Sequence, residues 1–319
     1  MNLVKNTLLR VYVVLMLLVI GWLFWRVVDD KLVARSPDYQ VVPLVESKQV
    51  PVWEATDSLS LAESEEQLAE ELSAQAYLAM EIESRALLLE KNLDTSLPPA
   101  STTKLMTALV ALDLFSLDEV VEVSPEIAEE HDGGGLVANE RLTVRSLLIA
   151  TLVNSANDAA YALAGHAEGG EQAFMEEMNE RALAMKLENT RFANPTGYDD
   201  PPNVSTARDL SILVLQAIDN PMIMEWISLQ RYEVADASGR IRHYLINTND
   251  LLGVDPRVIG GKTGTTALAK EVLVTIAEIA GHQYIVIVMN TEDRYQDTQA
   301  ILNWLGSHIR WQDALDPLE

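Results

Sequence analysis

The 319-residue chain contains no cysteine, so no disulfide braces it, and since oxidising and reducing compartments both permit this, the absence does not fix where the protein resides. Basic residues are scarce: 23 Lys and Arg stand against 48 Asp and Glu, a formal net charge of −25. A phosphate backbone demands clustered cations, which excludes nucleic acid as a partner. The five histidines, His131, His166, His243, His282 and His308, are scattered and show no His-Glu-x-x-His or paired-ligand spacing. They read as surface or edge residues, and neither a metal nor another cofactor is expected.

A long apolar run occurs at the start of the chain. Val11 to Val28 is interrupted only by Arg26 and follows Lys5 and Arg10. Its length is near the minimum for crossing a bilayer, Trp22 and Trp25 suit an interface, and the flanking arginines can snorkel. A cleavable signal peptide is the alternative, but Asp29-Asp30-Lys31-Leu32-Val33-Ala34 offers no clear small-x-small cleavage site. The expectation is an uncleaved anchor over residues 1–28, with the rest of the chain outside the cytoplasm at the cell membrane. Residues 29–73 read as an acidic linker. Pro37, Pro43 and Pro51 punctuate its polar first half, and Glu63, Glu65, Glu66, Glu70 and Glu71 crowd its second, where Leu61, Leu68 and Leu72 line a weak helical face. Residues 74–319 are then one large domain.

Three short segments in that domain carry chemistry. In the first, Pro98-Pro99-Ala100 leads into Ser101-Thr102-Thr103-Lys104 and a stretch of good helix formers with apolar residues at helical spacing. Taken alone, Ser101 reads as an N-cap and Lys104 as a solvated first-turn residue. The chemical alternative is that Lys104, one turn after Ser101 on the same face, takes its hydroxyl proton, since a serine is a poor nucleophile until a neighbouring base activates it. The second segment, Ser155-Ala156-Asn157, precedes an alanine-rich helix and alone would be simple capping. The third, Gly260-Gly261-Lys262-Thr263-Gly264-Thr265, adjoins the β-prone run Val272 to Ile279 and reads as a strand whose backbone is approached closely. A phosphate loop is excluded because Asp255 and Pro256 stand where the Walker pattern requires its first glycine.

In this order the three segments resemble the Ser-x-x-Lys, Ser-x-Asn and Lys-Thr-Gly motifs of penicillin-binding proteins and serine β-lactamases. Further stretches narrow the resemblance to the low-molecular-mass D-alanyl-D-alanine carboxypeptidases: Arg141 to Leu148, Asn157 to Ala160, Asn189 to Gly197 and Ser205 to Leu210. The resemblance implies an α/β fold with an antiparallel sheet packed between helices. It implies a substrate, the peptidoglycan stem peptide ending in D-Ala-D-Ala, and β-lactams as covalent inhibitors. Ser101 would be the nucleophile, Lys104 its base, Ser155 a proton relay and Asn157 a contact to both substrate and Lys104. Lys262, Thr263, Gly264 and Thr265 would bind the terminal carboxylate, and the backbone N–H groups of Ser101 and Thr265 would form an oxyanion hole. Arg294 is the nearby candidate for the arginine that family members often carry beyond the last strand.

The same machinery serves a D,D-endopeptidase, which motifs cannot separate from a carboxypeptidase. A β-lactamase is disfavoured because no Glu-x-x-x-Asn element lies between the second and third motifs: Glu176 is followed four residues later by Glu180, and Glu188 by Phe192. A wall-binding pseudoenzyme is disfavoured because every reactive residue is retained.

Periodicity predicts a hairpin over Ala74–Ile82 and Ala86–Glu90, and helices over Thr102–Phe115, Val144–Leu152, Asn157–His166, Gln172–Met185, Thr206–Ala217 and Tyr295–Leu305. Strands are predicted over Arg231–Val234, Arg242–Leu245, Val258–Thr263, Val272–Ile279 and Tyr284–Met289, the last two joined by a tight turn at Gly281-His282. His131 to Gly135 reads as a flexible loop, a plain connector in preference to a border of the catalytic cleft.

Overall fold

The computed structural model describes residues 49–53, 61–131 and 133–313. The expected membrane anchor and the first part of the acidic linker lie outside those residues, and among the described residues no single helix is both long and apolar enough to cross a bilayer. In chain order, β1 (Gln49–Trp53) and α1 (Leu61–Glu71) precede the hairpin β2 (Ala76–Glu81) and β3 (Leu87–Lys91). A short 3-10 helix (Ala100–Thr103) runs into α2 (Lys104–Leu114), followed by β4 (Val120–Glu122), α3 (Pro125–Glu130), β5 (Arg141–Thr143), α4 (Val144–Val153), α5 (Asn157–His166) and α6 (Gly170–Ala184). Then come α7 (Ala207–Asp219), α8 (Pro221–Ser228), the hairpin β6 (Arg231–Ala235) and β7 (Arg242–Ile246), and the long strands β8 (Val258–Thr266), β9 (Lys270–Ile279) and β10 (His282–Thr291). The chain closes with α9 (Arg294–His308) and β11 (Ile309–Asp313).

The main sheet has five strands in the order β3-β2-β10-β9-β8, every neighbouring pair antiparallel. Strands from opposite ends of the chain pair at its centre, Tyr77 lying opposite Val288, so the sheet cannot be divided between two independent units. Helices cover both faces. Alternate residues of β10, Ile285, Ile287 and Met289, join a core with Leu105 and Met106 of α2, Leu147 and Leu148 of α4 and Leu210 of α7. Their neighbours Tyr284, Val286 and Val288 face Ile301, Leu302 and Leu305 of α9. Burial on both faces is why these strands read as continuous apolar runs rather than alternating ones.

Several expectations shift. The second half of the presumed linker folds onto the domain as α1: Leu68 and Leu72 are buried against α9, and Trp304 Nε1 donates to Ser64 Oγ at 3.3 Å. Its weak helical face was sufficient because α9 supplies the apolar partner that an isolated helix lacks. The tight turn falls one residue early, at Ala280-Gly281, where φ is +52° and +85°, and His282 already pairs with Ile279 in the ladder. Positive φ at both central residues is what a type I′ hairpin turn requires. His243, expected at a surface or edge, is buried, with its Nε2 2.7 Å from Glu140 Oε1. Sequence reasoning left out α3, α8 and the two-stranded β1–β11 and β4–β5 pairs; α3, β4 and β5 span six residues or fewer, too few to display a period.

Candidate active site

Pro99 halts the preceding chain, and Ala100 takes a left-handed conformation (φ +48°) as the first residue of the 3-10 helix. Ser101 therefore sits at a corner rather than acting as a cap: neither the 3-10 helix nor α2 has a side-chain cap hydrogen bond. Lys104, the first residue of α2, is fully buried rather than solvated. Its Nζ lies 2.8 Å from Ser101 Oγ, 2.8 Å from Asn157 Oδ1 and 2.9 Å from the Thr196 carbonyl. The amide and carbonyl oxygens can only accept, whereas the hydroxyl can also donate. A neutral amine giving its two N–H groups to these two acceptors turns its lone pair toward the serine proton.

Ser155 and Asn157 arrive from the break between α4 and α5. Ser155 adopts φ +57°, the second non-glycine left-handed residue at the site, and such strain gathers where surrounding structure fixes a functional geometry. The capping explanation fails here too, because the residue preceding α5 is Ala156 and no side chain caps the helix. The loop before β5 is packed against this break. Gly134 and Leu136 donate backbone N–H bonds to the buried Asp158 carboxylate at 2.9 and 3.0 Å, and a side chain at Gly133 would strike Ala156 Cα. The glycines expected to be a plain connector thus border the cleft; Asp132 lies outside the described residues.

The opposite wall is β8, an edge strand of the main sheet. Lys262 is buried on it, with Nζ donating to Ser155 Oγ at 2.8 Å and to the Thr263 carbonyl at 2.9 Å. Burial, and secondarily the Arg294 guanidinium, pulls its pKa down to about 7 from its ordinary 10.5. Between those values the unfolded chain holds a proton that the folded chain lacks, so this lysine makes stability rise with pH across the window. In Lys262→Met that contribution should vanish. The melting-temperature difference between wild type and variant, followed from about pH 7 to about pH 10, should therefore move in favour of the wild type by the equivalent of up to a few kcal/mol. A pH-independent difference would show that the amine is not desolvated.

Thr263 Oγ1 is hydrogen-bonded to Thr248 Oγ1, and the Thr248 carbonyl accepts from Tyr295 Oη at 2.9 Å. Arg294, at the start of α9, reaches over to β8: its Nη1 donates to Thr265 Oγ1 at 2.6 Å and to the Gly264 carbonyl at 3.0 Å. A Cβ on Gly264 would stand 2.8 Å from both Ser101 N and Ala100 Cβ, so the missing side chain is what lets the strand lie against the Ser101 corner. Gly197 serves the other side, where a Cβ would come within 1.8 Å of the Ala100 carbonyl oxygen. Ser101, Lys104, Ser155, Asn157, Lys262, Thr263, Gly264, Thr265 and Arg294 are thereby gathered around one cleft. Sequence reasoning missed Thr196, Tyr198 and Thr248. The first two lie in or beside the stretch Asn189–Gly197, while Thr248 follows a hairpin strand and carried no signal.

Two Ser–Lys units, one on the helical wall and one spanning to the sheet, on an antiparallel sheet packed between helices, define a serine acyl-transfer enzyme of the penicillin-binding class. The chain belongs to the peptidase S11 family of D-alanyl-D-alanine carboxypeptidases, which matches residues 62–293. It is accordingly a serine-type hydrolase. It is 32% identical over 252 residues to the D-alanyl-D-alanine endopeptidase of Pseudomonas aeruginosa, covering 77% of this chain and 76% of that one. With the D-alanyl-D-alanine carboxypeptidase DacF of Bacillus subtilis it shares 30% identity over 221 residues, 67% of this chain and 57% of that longer protein. Among solved structures it superposes on the Streptomyces K15 DD-transpeptidase with a TM-score of 0.68 and 31% identity, covering 73% of this chain and 97% of the other.

Proposed function

We propose that the chain trims peptidoglycan stem peptides as a D-alanyl-D-alanine carboxypeptidase, through an acyl-enzyme on Ser101. The observation that carries this is the Lys104 amine, buried and held 2.8 Å from the Ser101 hydroxyl by two obligate acceptors. Ser101 Oγ attacks the carbonyl carbon of the penultimate D-alanine while its proton passes to Lys104 Nζ. The oxyanion that forms is met by the backbone N–H groups of Ser101 and Thr265, on two segments that touch at Gly264. As the tetrahedral intermediate collapses, Ser155 hands a proton to the departing D-alanine amine, and Lys262 returns one to Ser155 across their 2.8 Å contact. Water then cleaves the Ser101 ester and releases the shortened peptide as its carboxylate; one water proton restores the Ser101 hydroxyl, and proton exchange with solvent returns Lys104 to its neutral form and Lys262 to its charged one.

The terminal carboxylate of the substrate is taken by Thr263, Thr265, Lys262 and Arg294, a local positive patch in a chain of net charge −25. The N-terminal apolar run anchors the protein in the cell membrane and holds the catalytic domain outside the cytoplasm, where peptidoglycan lies. Cleavage of cross-links by the same site is the second reading, favoured by the relatives from Pseudomonas aeruginosa and Escherichia coli that are named endopeptidases.

Incubation with labelled penicillin should leave a covalent adduct on the wild type and none on Ser101→Ala. Label that persists in the variant would remove Ser101 from its role. Mass spectrometry of products from a pentapeptide and from a cross-linked dimer then separates the two readings, the first predicting loss of a single D-alanine from the pentapeptide at the higher rate.

A further inference from the structure

A second concavity lies apart from the two Ser–Lys units. Helices α1 and α9 share a buried apolar cluster, and beside it they leave an open groove of about 820 Å³. Its floor is apolar, made by Leu68, Ala300 and Trp304, and its rims are exposed amides, Gln296, Gln299 and Asn303 on α9 and Gln67 on α1. Spaced three and four residues apart, the α9 amides share one helix face, which Ser307 extends to a length of roughly 16 Å. Among the described residues, no hydrogen bond engages the side-chain amides of Gln67, Gln296 or Gln299. One end of the groove adjoins the active cleft. Asp293 and Tyr295 line it, and between them in the chain stands Arg294, which donates to Thr265 Oγ1 and holds its Cζ 5.0 Å from the centre of the Tyr295 ring.

The charge of the lining selects the ligand. Among the described residues no lysine or arginine lines the groove, whereas Glu71 and Asp293 do. Anionic ligands, stem peptides with free carboxylates among them, are therefore disfavoured. An elongated, uncharged ligand with apolar faces and many hydroxyl and amide groups matches both floor and rims, since each glutamine side chain offers two donors and an acceptor. We infer that this groove binds the glycan strand of peptidoglycan, a chain of N-acetylated amino sugars whose rings cover the floor while their hydroxyl and acetamido groups bond to the amide rims. Seating the polymer beside the cleft raises the local concentration of stem peptides at Ser101 without touching the reacting atoms. The inference deepens the proposed function and rests on it, because that reading makes the wall polymer the substrate.

The probe is chitotetraose, the uncharged tetramer of N-acetylglucosamine, titrated calorimetrically into the detergent-solubilised full chain. Saturable binding is expected, and it should be unchanged once Ser101 has been acylated by penicillin, because the groove lies outside the blocked cleft. Gln67→Ala combined with Gln299→Ala, at two exposed helical positions that alanine suits, should weaken binding about tenfold or more through the lost hydrogen bonds. The same double variant should release D-alanine from polymeric peptidoglycan severalfold more slowly while trimming a free pentapeptide at the wild-type rate. The inference is overturned if the wild type does not bind the tetramer, if acylation abolishes binding, if the double variant binds equally well, or if its polymer-to-pentapeptide rate ratio is unchanged. A wild type that binds the tetramer but trims neither substrate would instead remove the proposed function and leave the groove as a sugar site.

Discussion

Lys104→Met is expected to slow acylation of Ser101 by about a thousandfold while the protein remains folded. General base catalysis by a positioned side chain contributes roughly two to four orders of magnitude, and the methionine keeps the length of the buried side chain while removing its proton acceptor. The substitution strands two acceptors, Asn157 Oδ1 and the Thr196 carbonyl, at a cost of roughly 1–3 kcal/mol each, offset by no longer burying an amine. Stopped-flow measurement of penicillin acylation, alongside a circular-dichroism melt, separates the two effects. Because hydroxide can substitute for the lost base, the residual rate should climb with pH. A variant that acylates within tenfold of the wild type would mean that another group deprotonates Ser101, and the geometry at Lys104 would need a different explanation.

The largest effect on stability should come from Gly197→Ala, a change of one methyl group. At Gly197 φ is +85°, a conformation that costs an L-residue energy, and the new Cβ would lie 1.8 Å from the Ala100 carbonyl oxygen. Backbone cannot be moved aside as a flexible side chain can, so the corner that carries Ser101 must shift. The cost should be about 3–5 kcal/mol, or a fall of about 10 °C in melting temperature for a domain of this size. Acylation should fall by at least a hundredfold in the molecules that remain folded, since a displacement of about 1 Å at a reacting group has that effect. Melting and acylation losses confined to a few degrees and a few-fold would show that the Thr196-Gly197 segment yields without disturbing Ser101.

Much of this architecture was legible from periodicity. The long strands β9 and β10, the helices α2, α4, α5 and α7, and the hairpin of β2 with β3 fall within a few residues of where apolar spacing predicts them. The exceptions share a cause. Helix α1 shows only a weak face and depends on α9 to become stable, and β1 pairs with β11 from the far end of the chain, a partnership that no local pattern encodes. Within the site, the capping interpretation of Ser101, Ser155 and Asn157 was locally as good as the chemical one. It loses only because Ala100 and Ser155 take left-handed conformations and turn the motif side chains toward a cleft. Thr248 stands behind Thr263 only because the chain after the β6–β7 hairpin folds back against β8, a contact that no local pattern encodes.

The order and identity of the reactive residues were written in the sequence, because a hydroxyl beside an amine one helical turn away, and a glycine where a strand must pass closely, are chemical requirements that leave few substitutes. Which groups meet was decided by tertiary structure. The Asn157 and Thr196 oxygens that hold the Lys104 amine come from segments 53 and 92 residues distant, and the desolvation that brings Lys262 to about 7 exists only once the sheet and helices close over it. Spacing along a chain fixes what one element can present, whereas burial and long-range contact, which set the protonation and direction of each group, belong to the assembled fold.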